Sequence, residues 1–278
     1  MKHFLFSWRR FFALRRVRFL NNQLPKASRW IWLLCTVGIL LGLADQVAQA
    51  QPTSKQITQQ TIAWYRLEER IDLSSAWRIG LETEIRSFNF TGHRFQYYVR
   101  GRVQYSPNER WRFGLGMAYF LQTNNQPQLK GNLNVPEIRP HQEAIYQHKA
   151  GRWLTVHHIR LEERFFRNTN GKELLEGYRF NFRFRYRLEV NYTLNQPPTE
   201  VGALRLRTHA EVMLNAGESI IYNFFDQFRF YAGFNYQFSK HWALEAGYMK
   251  SFQQRESGYQ FLDRDIFRLA LQHQWQLR

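Results

Sequence analysis

A transmembrane antiparallel β-barrel of 10 to 12 strands behind an export leader is the fold class this sequence predicts, and three observations predict it. The 278 residues include 24 Phe, 14 Tyr and 9 Trp yet have a mean hydropathy of −0.55, so the large aromatics must be interleaved with strongly polar residues. That interleaving has period two over most of the chain, which is the signature of strands. The alternating runs are also long. Soluble strands average about 5 to 6 residues, whereas a tilted strand crossing a bilayer needs about 9 to 11. A hydrophobic content of 44% is too high for a disordered chain.

The leader comes first. Residues 1 to 29 hold Lys2, Arg9, Arg10, Arg15, Arg16, Arg18, Lys26 and Arg29 and no acid; Trp30 to Leu43 follows as an apolar run, and Ala48-Gln49-Ala50 supplies small residues at a cleavage position. Basic region, apolar core and small-residue site in that order read as a secretory signal peptide over 1–50, with the mature barrel over 51–278. The apolar run is shorter than the roughly 20 residues a spanning helix needs. Cys35 lies within it, so the mature part has no thiol and no disulfide. Removing the eight bases and one acid of the leader leaves 228 residues with a net charge of +10.

The strands follow in order. Phe95, Tyr97, Val99, Val103 and Tyr105 alternate with Arg94, Gln96, Arg100, Arg102 and Gln104. From Tyr178 onward Phe180, Phe182, Phe184, Tyr186, Leu188, Val190 and Tyr192 alternate with Arg179, Asn181, Arg183, Arg185, Arg187, Glu189 and Asn191. Leu204, Leu206, Ala210 and Val212 alternate with Arg205, Arg207, His209 and Glu211; Phe228, Phe230, Phe234 and Tyr236 with Arg229 and Asn235; and Phe267, Leu269, Leu271 and Trp275 with Arg268, Gln272 and Gln274. A soluble sandwich cannot bury faces so rich in Arg. A barrel in a membrane puts the aromatic face into lipid and the polar face into the lumen, with every backbone group paired by closure.

Tight links fall at Asp72 to Ala76, Ser106 to Arg110, Lys149 to Arg152 and Ser239 to His241, and each following strand opens with Trp: Trp77, Trp111, Trp153 and Trp242. These four mark one membrane interface, where amphipathic aromatics collect. Asn195 to Ala203, with Pro197-Pro198, makes a fifth turn on that side. Longer links at Thr123 to Pro136, Asn168 to Gly177, Ala216 to Phe225 and Arg255 to Leu262 lie opposite. Short turns face the periplasm and long loops the exterior in such barrels. Eleven runs are countable from about Gln59 on; a poor extra strand within 51–58 would give the even number usual for this class, so twelve is expected.

The strings RLEER at Arg66 to Arg70, RLEERFF at Arg160 to Phe166, FNFRFRYR at Phe180 to Arg187 and YNFFDQFRFYAGFNYQF at Tyr222 to Phe238, with GYM at Gly247 to Met249 and FQQ at Phe252 to Gln254, resemble the bacterial family catalogued as domain of unknown function 2490. The resemblance covers essentially the whole mature chain. It implies an outer-membrane barrel of the Bacteroidetes type and brings no activity with it.

Register places charge against charge. Leu194 opposite Leu204 across the Pro197-Pro198 turn sets Arg187 facing Glu211 and Glu189 facing His209, with Arg207 on the diagonal. Cross-strand opposite charges contribute about 0.2 to 1 kcal/mol each. Tyr105 opposite Trp111 sets Arg102 facing Gly114 and Arg100 facing Gly116, where glycine leaves volume for the guanidinium arms. A lumen network of Arg160, Glu162, Arg164, Arg183, Arg185, Arg187, Glu189, Arg205, Arg207, His209 and Glu211 is therefore expected, electropositive because Glu189 and Glu211 are the only acids beside the ladder Arg183, Arg185, Arg187.

Other chemistries have thin support. His157 and His158 point to opposite faces of a strand and cannot share an ion. His141 with Glu143, and His209 with Glu211, share a face, but lumen polarity accounts for them, and no metal or cofactor is expected. Ser87 and His93 stand near one hairpin tip without a third partner, and Glu68-Glu69 and Glu162-Glu163 alternate faces, so no catalytic group is assigned. The Arg residues are spread along the inner face of many strands rather than gathered in an outer stripe, which argues against nucleic acid. The expected function is a structural or binding barrel of a Gram-negative outer membrane with an ion-paired lumen. Its expected partners are outer-membrane lipid or lipopolysaccharide, the barrel-assembly machinery and anions in the lumen. A small anion-favouring channel is the alternative, and a lipid-modifying barrel enzyme comes third.

Overall fold

The computed structural model describes residues 54–90, 93–123 and 133–276. The leader expected over 1–50 lies outside them. Within them the chain is all strand and turn: β1 (Gln56–Asp72), β2 (Trp77–Phe88), β3 (His93–Tyr105), β4 (Trp111–Gln122), β5 (Val135–Ala150), β6 (Trp153–Thr169), β7 (Leu174–Thr193), β8 (Leu204–Ala216), β9 (Phe225–Gln237), β10 (Trp242–Gln254) and β11 (Gln260–Gln276). Each strand pairs with its sequence neighbours and the sheet closes β1 on β11. The predicted all-β barrel is what forms.

Two expectations need correction. The count is eleven, not twelve, because the part of 51–58 that was to supply another strand belongs, from Gln56 on, to β1 itself. The barrel is mixed rather than wholly antiparallel. In an up-and-down meander of odd number the first and last strands run the same way, so the closing pair must be parallel, and Gln56 to Asp72 pairs Gln260 to Gln276 without a slip.

Side chains sort by parity. On β2, Glu82 and Glu84 are 5% and 1% exposed while Leu81 and Ile85 on either side of them are 44% and 39% exposed. The same division holds on β4, with Phe113, Leu115, Met117 and Tyr119 outward, on β7, with Phe182 and Phe184 outward, and on β9, with Phe228, Phe230, Phe234 and Tyr236 outward. β-branched and aromatic residues suit the pleated outer surface, and the polar partners are turned inside. The fold is thus inverted relative to a soluble domain, apolar without and charged within.

Stagger fixes which layers meet. Following paired residues round the wall from Thr193 through Arg205, Asn235, Glu245, Ala270, Arg66, Glu84, Tyr98, Phe120, Glu137 and Phe166 returns to β7 at Arg179, fourteen residues along the strand. For eleven strands this shear tilts them by about 45° and leaves a barrel about 1.4 times as wide as the eight-stranded membrane barrels.

The β7–β8 register is the expected one, with Arg187 opposite Glu211 and Glu189 opposite His209. The β3–β4 register is displaced by two residues: Tyr105 lies opposite Phe113, Arg102 opposite Gly116 and Arg100 opposite Ala118. The cause is local. Asn108 Oδ1 accepts hydrogen bonds from the amides of Arg110 and Trp111, both at 2.9 Å, and the turn is centred on Glu109 instead of Asn108, which moves every pairing by two. A shift of two keeps every side chain on its face.

At the opposite end the link expected to be loose between Asn168 and Gly177 is a hairpin. β6 and β7 extend to Thr169 and Leu174, and Asn170 Oδ1 accepts from the amides of Lys172 and Glu173 at 2.9 Å. Asn89 and Phe90, at the end of β2, adopt left-handed φ of 48° and 58°.

Trp77, Trp111, Trp153 and Trp242 open β2, β4, β6 and β10 at the short-turn end, as the sequence order requires. Each packs against an aromatic ring of the next strand: Trp77 tilted on Tyr105 and Trp111 on Tyr146 with centroids 5.0 Å apart, Trp153 tilted on Tyr192 at 4.5 Å, and Trp242 stacked on His273 at 4.0 Å. β8 opens with Leu204 instead, where the Pro197-Pro198 turn intervenes.

Candidate ligand-binding lumen

Inward parity alone brings Arg and Glu together; the stagger decides which. All eleven lumen residues singled out from the sequence face inward, and their carboxylates are shared in a repeating way. Glu162 accepts from Arg183 Nε at 2.9 Å and from Arg185 Nη1 at 2.7 Å. Glu211 accepts from Arg185 Nη2 at 2.7 Å and, more loosely, from Arg229 Nη1 at 3.4 Å. Glu189 accepts from Arg207 Nη2 at 2.8 Å with Arg187 at 3.7 Å, and Arg164 Nε donates to Glu137 at 2.8 Å. Arg160 Nη2 donates to Glu143 at 2.8 Å, and His158 Nε2 lies 3.0 Å from the same oxygen. His209 stacks on Tyr231, and Arg205 donates to Asn235.

The ladder Arg183, Arg185, Arg187 is less bare than expected. Glu162 on β6 and Asp226 on β9 serve it besides Glu211 and Glu189; Arg183 Nη1 reaches Asp226 at 3.0 Å. The register of β7 against β8 alone leaves these two acids out, since they stand on β6 and β9. Several partners were missed outright: Glu82 between Arg100 and Arg102, Glu84 between Arg66 and Arg86, and Glu245 between Arg207 and Arg268 with Tyr231 Oη donating at 2.8 Å. Their signal was present. Arg66, Glu82, Glu84, Arg86, Arg100 and Arg102 have the same inward parity as the residues that were named.

One carboxylate to two guanidiniums is the recurring unit. Removing ions from water is costly, and such groups are tolerated only where charge and hydrogen bonding are both met. Glycines make room. A Cβ on Gly80 would lie 2.8 Å from Arg102 Nε, one on Gly114 2.9 Å from Glu143 Cγ, and one on Gly116 2.6 Å from the His141 ring. The Tyr231 ring lies over Gly233 and Gly247, where an added Cβ would meet its hydroxyl at 2.3 and 2.5 Å; an aromatic covering strand glycines restores the packing they lack.

Inside this network a cavity of about 1700 Å³ runs along the axis. Its lining includes the turn tips Pro107, Lys149, Pro198 and Lys240 and reaches inward to Trp64, Arg86, Arg229 and Arg264, so it opens at the short-turn end. Beyond that depth the bore is filled. Ile62, Phe88, Leu262 and Ile266, with Asn215 and Asp226, are buried, and Phe88 stacks on Phe95 with centroids 4.4 Å apart. Arg and Lys among the lining residues outnumber Glu about threefold.

The remaining candidates fall apart as their parity requires. His157 Nδ1 lies 2.8 Å from Tyr186 Oη on the outer face while His158 faces Glu143 inside. Glu68 meets Arg66 and Gln272, whereas Glu69 meets His273. His141 shares the lumen with Glu143, and among the described residues no group of three metal-ligating side chains gathers. Ser87 stands opposite Arg94, and His93 opposite Phe88.

Among curated proteins and among solved structures the chain has no match. A family model does match, over residues 61–261, which runs from within β1 to the start of β11 and so takes in ten of the eleven strands almost entirely. The chain belongs to the family described as Protein of unknown function (DUF2490).

Proposed function

We propose that this barrel resides in a bacterial outer membrane, short turns toward the periplasm, and that its lumen binds an anionic ligand from that side instead of conducting ions. The cavity carries this reading: it is arginine-lined, open at the short-turn end and stopped by the layer of Ile62, Phe88 and Ile266. The membrane setting is supported by the outward band of Phe, Leu, Val and Tyr and by the Trp pairs along one rim, the pattern of interfacial girdles.

Two measurements test it. The mature chain should fractionate with outer membranes and migrate faster on gels before boiling than after; recovery as a soluble periplasmic protein would overturn the membrane reading. Refolded into planar bilayers, it should give no steady current. A sustained current favouring chloride over potassium would replace the binding reading by an anion channel, which the excess of lumen arginines would then explain.

A further inference from the structure

At the inner end of the cavity two guanidiniums crowd one indole, and a third, that of Arg264, lies over the neighbouring Phe95 ring at 5.9 Å. Arg86 Cζ lies 3.9 Å and Arg229 Cζ 5.2 Å from the centroid of the Trp64 ring. Arg86 is in turn a cationic neighbour of both Arg229 and Arg264. All five residues line the cavity.

Their carboxylates do not match their charge. Glu84, paired with Arg86 at 2.5 Å, is shared with Arg66, and Glu211 serves Arg185 closely and Arg229 only at 3.4 Å. Arg264 has no carboxylate in ion-pair range among the described residues. It is buried, donating to the neutral Gln60 Oε1 at 2.8 Å and Gln253 Oε1 at 2.9 Å. Trp64 Nε1, Arg229 Nε and Arg264 Nη2 are buried there without a hydrogen-bond partner among the described residues. Elsewhere in the lumen Glu82, Glu137, Glu162 and Glu245 each hold two arginines at short range; here Asp226, the acidic neighbour of Arg264, is bound to Arg183 instead. A buried cation without a counter-charge is costly, and a planar fork of N–H donors is the group that recognises phosphate and carboxylate oxygens in pairs.

We propose that Arg86 and Arg229 over Trp64, with Arg264 beside Arg86, form a binding site for a phosphate-class oxyanion at the blind end of the lumen, either free phosphate or the phosphoryl group of a larger molecule. The inference rests on the binding reading above and names its ligand. Because the site lies at the far end of the cavity, the anionic group enters first. The wall beside it includes Phe95, Tyr98, Phe120 and Met249, so whatever carries the phosphoryl group meets aromatic and apolar surface behind its head.

The test uses the refolded mature barrel in detergent, titrated calorimetrically with inorganic phosphate in one arm and with glycerol phosphate in the other. Wild type should bind phosphate, and its unfolding temperature should rise with phosphate concentration. Arg264→Gln should weaken binding at least tenfold, whereas Arg112→Gln, at the cavity mouth, should leave it within twofold. In phosphate-free buffer Arg264→Gln should unfold at a higher temperature than wild type, since an uncompensated buried cation has been removed. Tighter binding of glycerol phosphate would make the phosphoryl group of a larger molecule the ligand; tighter binding of phosphate would make it the free ion. Absence of heat on titration with both, equal losses from Arg264→Gln and Arg112→Gln, or a less stable Arg264→Gln in phosphate-free buffer would each overturn the site. Silent bilayers together with a failed titration would remove this inference and leave the blind-lumen reading standing; a steady current would remove the latter.

Discussion

Arg185 is held between two carboxylates from opposite neighbours, Nη1 on Glu162 of β6 and Nη2 on Glu211 of β8, both at 2.7 Å. The side chain ties three consecutive strands by charge along the inner wall. Arg185→Leu leaves both carboxylates buried with fewer donors, and breaking a buried pair in this way costs about 3 to 5 kcal/mol. The expected outcome is a markedly lower urea midpoint for the compact gel form. Arg185→Glu with Arg187→Glu, which adds negative charge beside Glu162, Glu189 and Glu211, should prevent that form altogether. An unchanged midpoint in both variants would show that the network does not stabilise the barrel.

Phe182 and Phe184 point out of the wall between inward Asn181, Arg183 and Arg185. Arginine on a lipid-facing strand position costs roughly 2 to 4 kcal/mol near the midplane and less toward the edges. Phe184→Arg, the deeper of the two, should therefore hinder insertion into lipid vesicles more than Phe182→Arg. Asn181→Ala should insert normally. The reverse order, with the alanine variant failing, would mean that the faces are assigned inside out.

The Tyr231 ring over Gly233 and Gly247 gives a third expectation. Gly247→Ala would place a methyl 2.5 Å from the Tyr231 hydroxyl and push the ring off its bond to Glu245. Overpacking of this kind costs about 1 to 3 kcal/mol. Tyr231→Phe keeps the ring but drops the hydrogen bond, and should cost less than the glycine change. Thermal unfolding of the two variants side by side decides it: a larger loss for Tyr231→Phe would show that the hydroxyl matters more than the covering ring.

Much of the fold is legible because a barrel wall is a one-dimensional pattern. Parity sorts Phe184 from Arg185 without knowledge of any neighbour, and the Pro197-Pro198 turn pins β7 to β8. The β3–β4 register escapes a reading of the main-chain pattern because a side chain, Asn108, sets the length of that turn. The 168–177 hairpin escapes for the same reason, through Asn170. The lumen network was only half legible. Arg183 with Asp226 and Arg207 with Glu245 join residues 43 and 38 apart, on strands that do not touch in sequence, and the stagger of the closed wall brings them level. The carboxylate-poor corner at Arg264 is invisible until those pairings are known, because it is defined by which acids are already taken.

The parallel seam has a topological consequence. β1 starts at the long-loop end and β11 finishes at the short-turn end, where Asp72 pairs Gln276. An even-stranded meander would bring its two ends to one end of the barrel; this one leaves them at opposite ends. In the outer-membrane setting proposed above, with short turns in the periplasm, an epitope spliced just ahead of Gln56 would be displayed on intact cells, while one spliced after Gln276 would be reached by antibody only once the envelope is permeabilised. Every molecule thus carries a built-in marker of its own sidedness, readable without disturbing a single loop.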